Sequence, residues 1–256
     1  MKFIDINCDM GEIPEHVSDG LQESLLPHVT SINVACGAHA GDEQMMRATI
    51  EQAMRFHVAV GAHPGYADRV HFGRELLHLS PQEIADSVFD QSCTLAAIAA
   101  ACGTAVTHVK AHGALYNQAA RDPEIARAIA EGVARWHRDV VLVGLAGSQM
   151  LDVFRDAGFP VAAEAFADRR YEPDGSLRSR RFADALISDP AEAAAQAIRI
   201  ARLNRIIATS GAAIPVSAQT ICIHGDTPGA PQIAAAVVAA LRQSRITPRS
   251  LTEANL

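Results

Sequence analysis

Short apolar runs and longer helical stretches alternate along almost the whole chain, and that alternation leaves few folds open. The runs lie at residues 2–7, 31–35, 58–61, 106–110, 140–145, 161–165 and 220–224. Each has the length of a buried strand. Residues 20–28, 42–57, 80–102, 123–138, 148–157, 190–208 and 231–244 carry helical periodicity instead. Ser80-Pro81-Gln82-Glu83 offers an N-cap, a proline at the first helical position and a glutamate three residues on. Asp122-Pro123 and Asp189-Pro190 repeat the cap–proline device. Strands that alternate with helices are joined by crossovers and run parallel.

An open doubly wound sheet and a closed barrel both satisfy this pattern. An open sheet gathers its polar strand ends at one crevice. Here every run except 140–145 ends in polar residues, which favours the barrel. No G-x-G-x-x-G follows a strand and no GxxxxGK[ST] occurs. A length of 256 residues, with no repeat and no linker, suits one α/β barrel domain over 1–256. The non-periodic stretch 168–183 is expected to be a lid or binding loop.

A net charge of −7 without a basic run argues against nucleic acid as a partner. No apolar stretch is long enough for a bilayer, and Asp5, Asn7 and Asp9 interrupt any signal-peptide core. The five cysteines form no CxxC pair, the usage of a reducing compartment, so a cytoplasmic protein is expected.

The chemistry gathers where strands end. Val109-Lys110-Ala111-His112-Gly113 puts a cation and an imidazole at i, i+2, on one side of an extended chain. Asp5, Asn7 and Asp9 alternate in the same way, ahead of Gly11 and Glu12. Facing a barrel interior, such carboxylates need a cation, a donor network or a substrate. The second strand leads to Asn33, Cys36, His39 and Asp42, with Asp42 read as a helix cap and Cys36 as a buried thiol. The third ends in His63-Pro64-Gly65-Tyr66, followed by Arg69 and Arg74, candidates to clamp a carboxylate or phosphate. The sixth gives Glu164, Asp168 and Arg169, with Arg178, Arg180 and Arg181 in the loop beyond; the seventh gives His224 and Asp226. His108 and the other histidines read as structural or surface residues. This set suits acyl or amide hydrolysis: a carboxylate or histidine activates water, and Lys110 or a protonated histidine stabilises an oxyanion. A divalent metal on histidine and aspartate comes second, because no HExxH or other tight ligand spacing occurs.

These same residues resemble the LamB/YcsF family, associated with the A subunit of ATP-dependent 5-oxoprolinase. The resemblance rests on Asp5-Ile6-Asn7-Cys8-Asp9-Met10-Gly11-Glu12, Asn33-Val34-Ala35-Cys36-Gly37-Ala38-His39-Ala40-Gly41-Asp42, Gly61-Ala62-His63-Pro64-Gly65-Tyr66, Phe72-Gly73-Arg74, Val109 through Asn117, Glu164 through Arg169, and His224-Gly225-Asp226. Ala38 stands where the family pattern has phenylalanine, and Ala67 and Ala111 where it has proline. The resemblance implies a seven-stranded (β/α) barrel of the glycoside hydrolase/deacetylase type. It implies cleavage of 5-oxo-L-proline to L-glutamate with ATP as cosubstrate, room for a divalent metal beside the nucleotide, and B and C subunits as partners. On that reading Lys110 and the arginines hold carboxylate and phosphoryl oxygens. Asp9 or Glu12, with His63 or His112, handles protons, and Asn33 and Asn117 orient the ring amide. The remaining substrate contacts fall to Asp5, Asn7, His39, Arg74, Glu164, Asp168, Arg169, His224 and Asp226. The competing classes are a metal-dependent deacetylase or amidase acting alone and a non-catalytic binder of small carboxylates.

Overall fold

The computed structural model describes residues 2–253. Met1 and residues 254–256, which the one-domain expectation also spans, lie outside the described residues. The strands are β1 (Lys2–Met10), β2 (Ser31–Ala35), β3 (Ala59–His63), β4 (Val106–Lys110), β5 (Val141–Leu145), β6 (Val161–Phe166), β7 (Arg205–Ile207), β8 (Ala213–Pro215), β9 (Thr220–Cys222) and β10 (Ile246–Pro248). The helices are α1 (Pro14–Ser18), α2 (Leu21–Leu25), α3 (Glu43–Arg55), α4 (Pro81–Ala101), α5 (Gly113–Ala119), α6 (Pro123–Trp136), α7 (Gln149–Asp156), α8 (Pro190–Leu203) and α9 (Ala230–Gln243).

Strands β1 to β6 and β9 pair in parallel in that order, and β9 pairs back onto β1. The seven runs read from the sequence therefore close into a barrel ringed by helices. The predicted caps form: Ser80 and Glu83 make a full capping box on α4, and Asp122 and Asp189 accept backbone N–H bonds at α6 and α8. Asp42 caps α3 by accepting from the Met45 N–H at 2.8 Å.

Register assigns the interior, because residues paired across parallel strands point to the same face. Asp9 pairs with Asn33, Asn33 with Gly61 and Gly61 with His108. On the far side Lys110 pairs with Val143, Val143 with Ala162, Glu164 with Thr220 and Thr220 with Asp5. Half of the interior is thus a polar array. The other half is apolar, where Val141, Val143 and Ala162 cluster with Leu251 apart from the main core. The main core lies between strands and helices, with Ile4, Ile6, Cys8, Ile32, Val34 and Val109 facing outward from the barrel into it.

Gly61 makes room for this array. A Cβ there would stand 2.1 Å from Nε2 of the buried His108 ring. Gly61→Ala is expected to lose about 1–3 kcal/mol of stability through overpacking. Urea unfolding checks it; an unchanged midpoint would mean that the ring relocates freely.

The boundaries differ in places. β1 runs to Met10, three residues past the expected end at Asn7. The expected helix 190–208 stops at Leu203, where Asn204 turns left-handed at φ 49°, and the chain enters the antiparallel hairpin β7–β8. β10 adds a parallel strand beside the start of β1. The expected loop 168–183 is pinned by bridges Arg169–Leu186 and Tyr171–Leu177. Among the described residues no helix is long and apolar enough to cross a membrane.

Candidate active site

A buried ion network fills the polar half of the barrel. Lys110, 3% exposed, donates to Asp9 Oδ1 at 2.8 Å and to Asn7 Oδ1 and Cys222 Sγ at 3.2 Å. Glu164 Oε1 lies 3.0 Å from the same ammonium. Burial alone would lower the Lys110 pKa, but the charges of Asp9 and Glu164 overturn it and hold the group well above its ordinary range. Asp9 is in turn kept well below the carboxylate range: burial raises it, and His63 and Lys110 outweigh burial. Asn33 donates to Asn7 and Asp9, both at 2.8 Å, and accepts from His108 Nε2 at 2.9 Å. Burial, reinforced by Lys110, pushes His108 down to about 3, so this ring is a neutral donor. Tyr116 donates to Glu164 Oε2 at 2.7 Å.

Below this layer, Asp5 accepts from the hydroxyls of Thr30, Ser31 and Thr220. Burial raises its pKa from 3.8 to about 6 against those hydrogen bonds. The folded state therefore holds this proton more tightly than the unfolded chain. The linked stabilisation is complete below about pH 4 and is lost as pH rises through 6. Relative to Asp5→Asn, the wild type should lose on the order of 3 kcal/mol between pH 4 and pH 7.5. A stability difference independent of pH would contradict this.

Above Lys110, three imidazoles and a carboxylate meet at the barrel mouth. His63 comes from the end of β3, and His112 from the β4–α5 turn. His39 lies in the β2–α3 loop, and Glu12 just beyond β1. The His63 Nδ1–H donates to the Lys110 carbonyl at 2.7 Å, and the His112 Nε2–H to the Phe72 carbonyl at 2.8 Å. Those bonds turn His63 Nε2 and His112 Nδ1 toward each other, 3.0 Å apart. Glu12 Oε1 lies 3.1 Å from His112 Nδ1 and 3.8 Å from His63 Nε2. Asp9 Oδ2 is 3.4 Å from His63 Nε2. His39 stacks on His112 at 3.8 Å and lies 3.1 Å from Glu12 Oε1. Burial pushes it down to about 4, so it is a neutral ring donating to that carboxylate. The Phe72 carbonyl reaches His112 because Gly73 packs on Gly113. A Cβ on Gly113, at φ 55°, would lie 2.5 Å from the Gly73 carbonyl oxygen.

The opposite wall carries a histidine–aspartate pair and guanidinium groups. His224 Nδ1 lies 3.0 Å from Asp168 Oδ1, and its ring stacks on Phe166. Asp168 also accepts from the His224 backbone N–H and the Thr227 hydroxyl. Asp226 pairs with Arg74 at 2.6 Å and with Arg180 at 2.7 Å. Arg169 is 6% exposed. It donates to the Arg178 carbonyl, its Nε–H has no acceptor, and no ion pair to it occurs among the described residues. All of these groups except Asp168 and Thr227 line one cleft of about 1060 Å³.

Asp9, Glu12, His63, Lys110, His112, Arg74, Asn117, Arg169, His224 and Asp226 line that cleft. Asp5, Asn7 and Asn33, expected to contact substrate, do not line it; their polar atoms are spent on neighbours beneath it. His39, Glu164 and Asp168 stand behind lining residues, and Asn117 is at the rim, donating to the Gly113 carbonyl. Arg69 serves the β2–α3 loop by donating to the Gly37 and Gly41 carbonyls. Burial pushes the Cys36 thiol up to about 12, which leaves it inert. His108 and Arg180 carry more than their sequence context suggested. Their signals were the i, i+2 spacing of His108 from Lys110 and the arginine-rich run that contains Arg180.

Among the described residues two groups have metal-ligand spacing: Glu12–His63–His112 and Asp9–Cys222–His224. Lys110 already occupies the second, with its ammonium on both Asp9 and Cys222. A metal ion there would meet that charge.

A closed parallel barrel with convergent acids, imidazoles and guanidinium groups at its carboxyl mouth defines a (β/α)-barrel protein with a candidate small-molecule site. The chain belongs to the LamB/YcsF family, whose model matches residues 4–256. It is 50% identical over 98% of its length to the 5-oxoprolinase A subunit of Chloroflexus aggregans, covering 99% of that protein. The crystal structure of the lactam utilization protein from Thermus thermophilus superposes with a TM-score of 0.90 at 40% identity, over 98% of this chain and 100% of that one. A T48 deacetylase shares the fold at a TM-score of 0.51 and 14% identity, over 98% and 89% of the two chains.

Proposed function

We propose that the chain is the A subunit of an ATP-dependent 5-oxoprolinase that opens 5-oxo-L-proline to L-glutamate together with B and C subunits. The observation that carries the reading is Arg169. A guanidinium this buried, facing a cleft with no ion-paired carboxylate among the described residues, calls for an anionic ligand. The substrate carboxylate and a phosphoryl group both supply that charge. The names of the relatives support the choice of lactam.

A lactam carbonyl is a poor electrophile. Phosphorylation of its oxygen by ATP makes the ring carbon open to attack. Water adds there and the ring nitrogen departs as an amine with a proton. A second water hydrolyses the resulting acyl phosphate, giving L-glutamate and phosphate. Glu12, His63 and His112 converge on one point of the cleft and are placed to activate the attacking water there. His224, oriented by Asp168, is placed to pass one to the leaving nitrogen. Lys110 has its N–H groups committed to buried acceptors, so it acts as a positioning residue that keeps Asp9 ionised. ATP and the B and C subunits belong to this proposal; the chain has no P-loop.

The test mixes the chain with its B and C partners, ATP and 5-oxoproline, and measures glutamate. Glutamate release that requires all components is expected. The same rate without this chain overturns the proposal, and turnover by the chain alone without ATP would favour a free-standing amidase.

A further inference from the structure

We propose that Glu12, His63 and His112 form a binding site for one divalent transition-metal ion of the zinc class. Proton placement comes first. A backbone carbonyl only accepts, so the Lys110 carbonyl fixes the proton of His63 on Nδ1 and the Phe72 carbonyl fixes that of His112 on Nε2. With both rings neutral, as metal ligands are, the remaining ring nitrogens present lone pairs 3.0 Å from each other. Glu12 Oε1 brings a third lone pair to the same point. Three acceptors facing one another repel unless a proton or a metal ion sits among them, and a metal ion satisfies all three at once.

The spacing fits an ion. Ligands bound at about 2.0–2.1 Å in a tetrahedron stand roughly 3.3 Å apart. The three separations here are 3.0, 3.1 and 3.8 Å. Two imidazoles and a carboxylate also match the donor preference of zinc and its neighbours rather than magnesium. The outer shell is in place as well. Each ligating ring is held by a carbonyl, and Glu12 lies 3.1 Å from the His39 Nε2. The cleft leaves the remaining coordination position for water or a carbonyl oxygen, whose polarisation is the chemistry such an ion supplies.

The sequence hid this site because its ligands follow three different strands instead of one helix. The site deepens the lactam-opening proposal, but its test does not depend on that activity. Chelator-treated full-length chain is dialysed against zinc, and bound metal is counted by elemental analysis. About one ion per chain is expected, with a more than tenfold weaker affinity in Glu12→Gln and none retained in His112→Ala. His224→Ala should keep its ion. Nitrogen-15 histidine spectra of the wild type, titrated with zinc, guard against variants that fail to fold. His63 Nε2 and His112 Nδ1 should shift on binding. Failure to bind zinc, or a shift at His224 instead, overturns the metal site and leaves the glutamate assay to decide the function separately.

Discussion

Lys110→Met is expected to destabilise the protein by about 3–5 kcal/mol at pH 7.5, the usual cost of removing one partner from a buried ion network. The ammonium is shared by Asp9 and Glu164, both buried, so its loss strands two carboxylates in the barrel interior. Methionine fills much of the lysine stem's volume, which keeps the packing term small. Without the ammonium, Asp9 takes up a proton at higher pH than in the wild type. The deficit should therefore shrink as pH falls from 7.5 toward 5. Urea unfolding of both proteins across that range measures it. A deficit below about 1 kcal/mol, the value typical of exposed pairs, would mean that the network is solvated.

Arg169→Ala is expected to lower kcat/KM for 5-oxoproline by on the order of a hundredfold or more, the loss seen when a desolvated charge pair is cut. The split between parameters says which oxygen the guanidinium holds. A rise in KM alone means the substrate carboxylate, bound equally before and during reaction. A fall in kcat means a phosphoryl or oxyanion charge that develops later. Stability should hold or rise, because the side chain is a buried cation without an ion-pair partner among the described residues. Unchanged kinetics with lost stability would reduce Arg169 to a structural residue.

The barrel was legible because each strand is a short apolar run whose polar residues cluster at one end, and the caps at Ser80, Asp122 and Asp189 marked where helices begin. The hairpin β7–β8 was not, because Ile206, Ile207 and Ala208 continue the apolar pattern of α8 past Asn204. A three-residue strand such as β10 carries no period to read. Depth was the other blind spot. Alternation places Asp5, Asn7 and Asp9 on one face, but it does not say how far the ladder extends. Since β1 runs to Met10, only Asp9 reaches the cleft. Nor does spacing reveal which lone pairs converge: His63 and His112 are 49 residues apart in sequence and 3.0 Å apart in space.

The proposed lactam opening at the barrel mouth requires the lactam to sit there, and a crystal structure of the chain with 5-oxo-L-proline bound tests that directly. The expected density places the ligand carboxylate on the Arg169 guanidinium, with the ring carbonyl turned toward Glu12, His63 and His112. A ligand bound elsewhere on the surface, with this cleft unchanged, would contradict it.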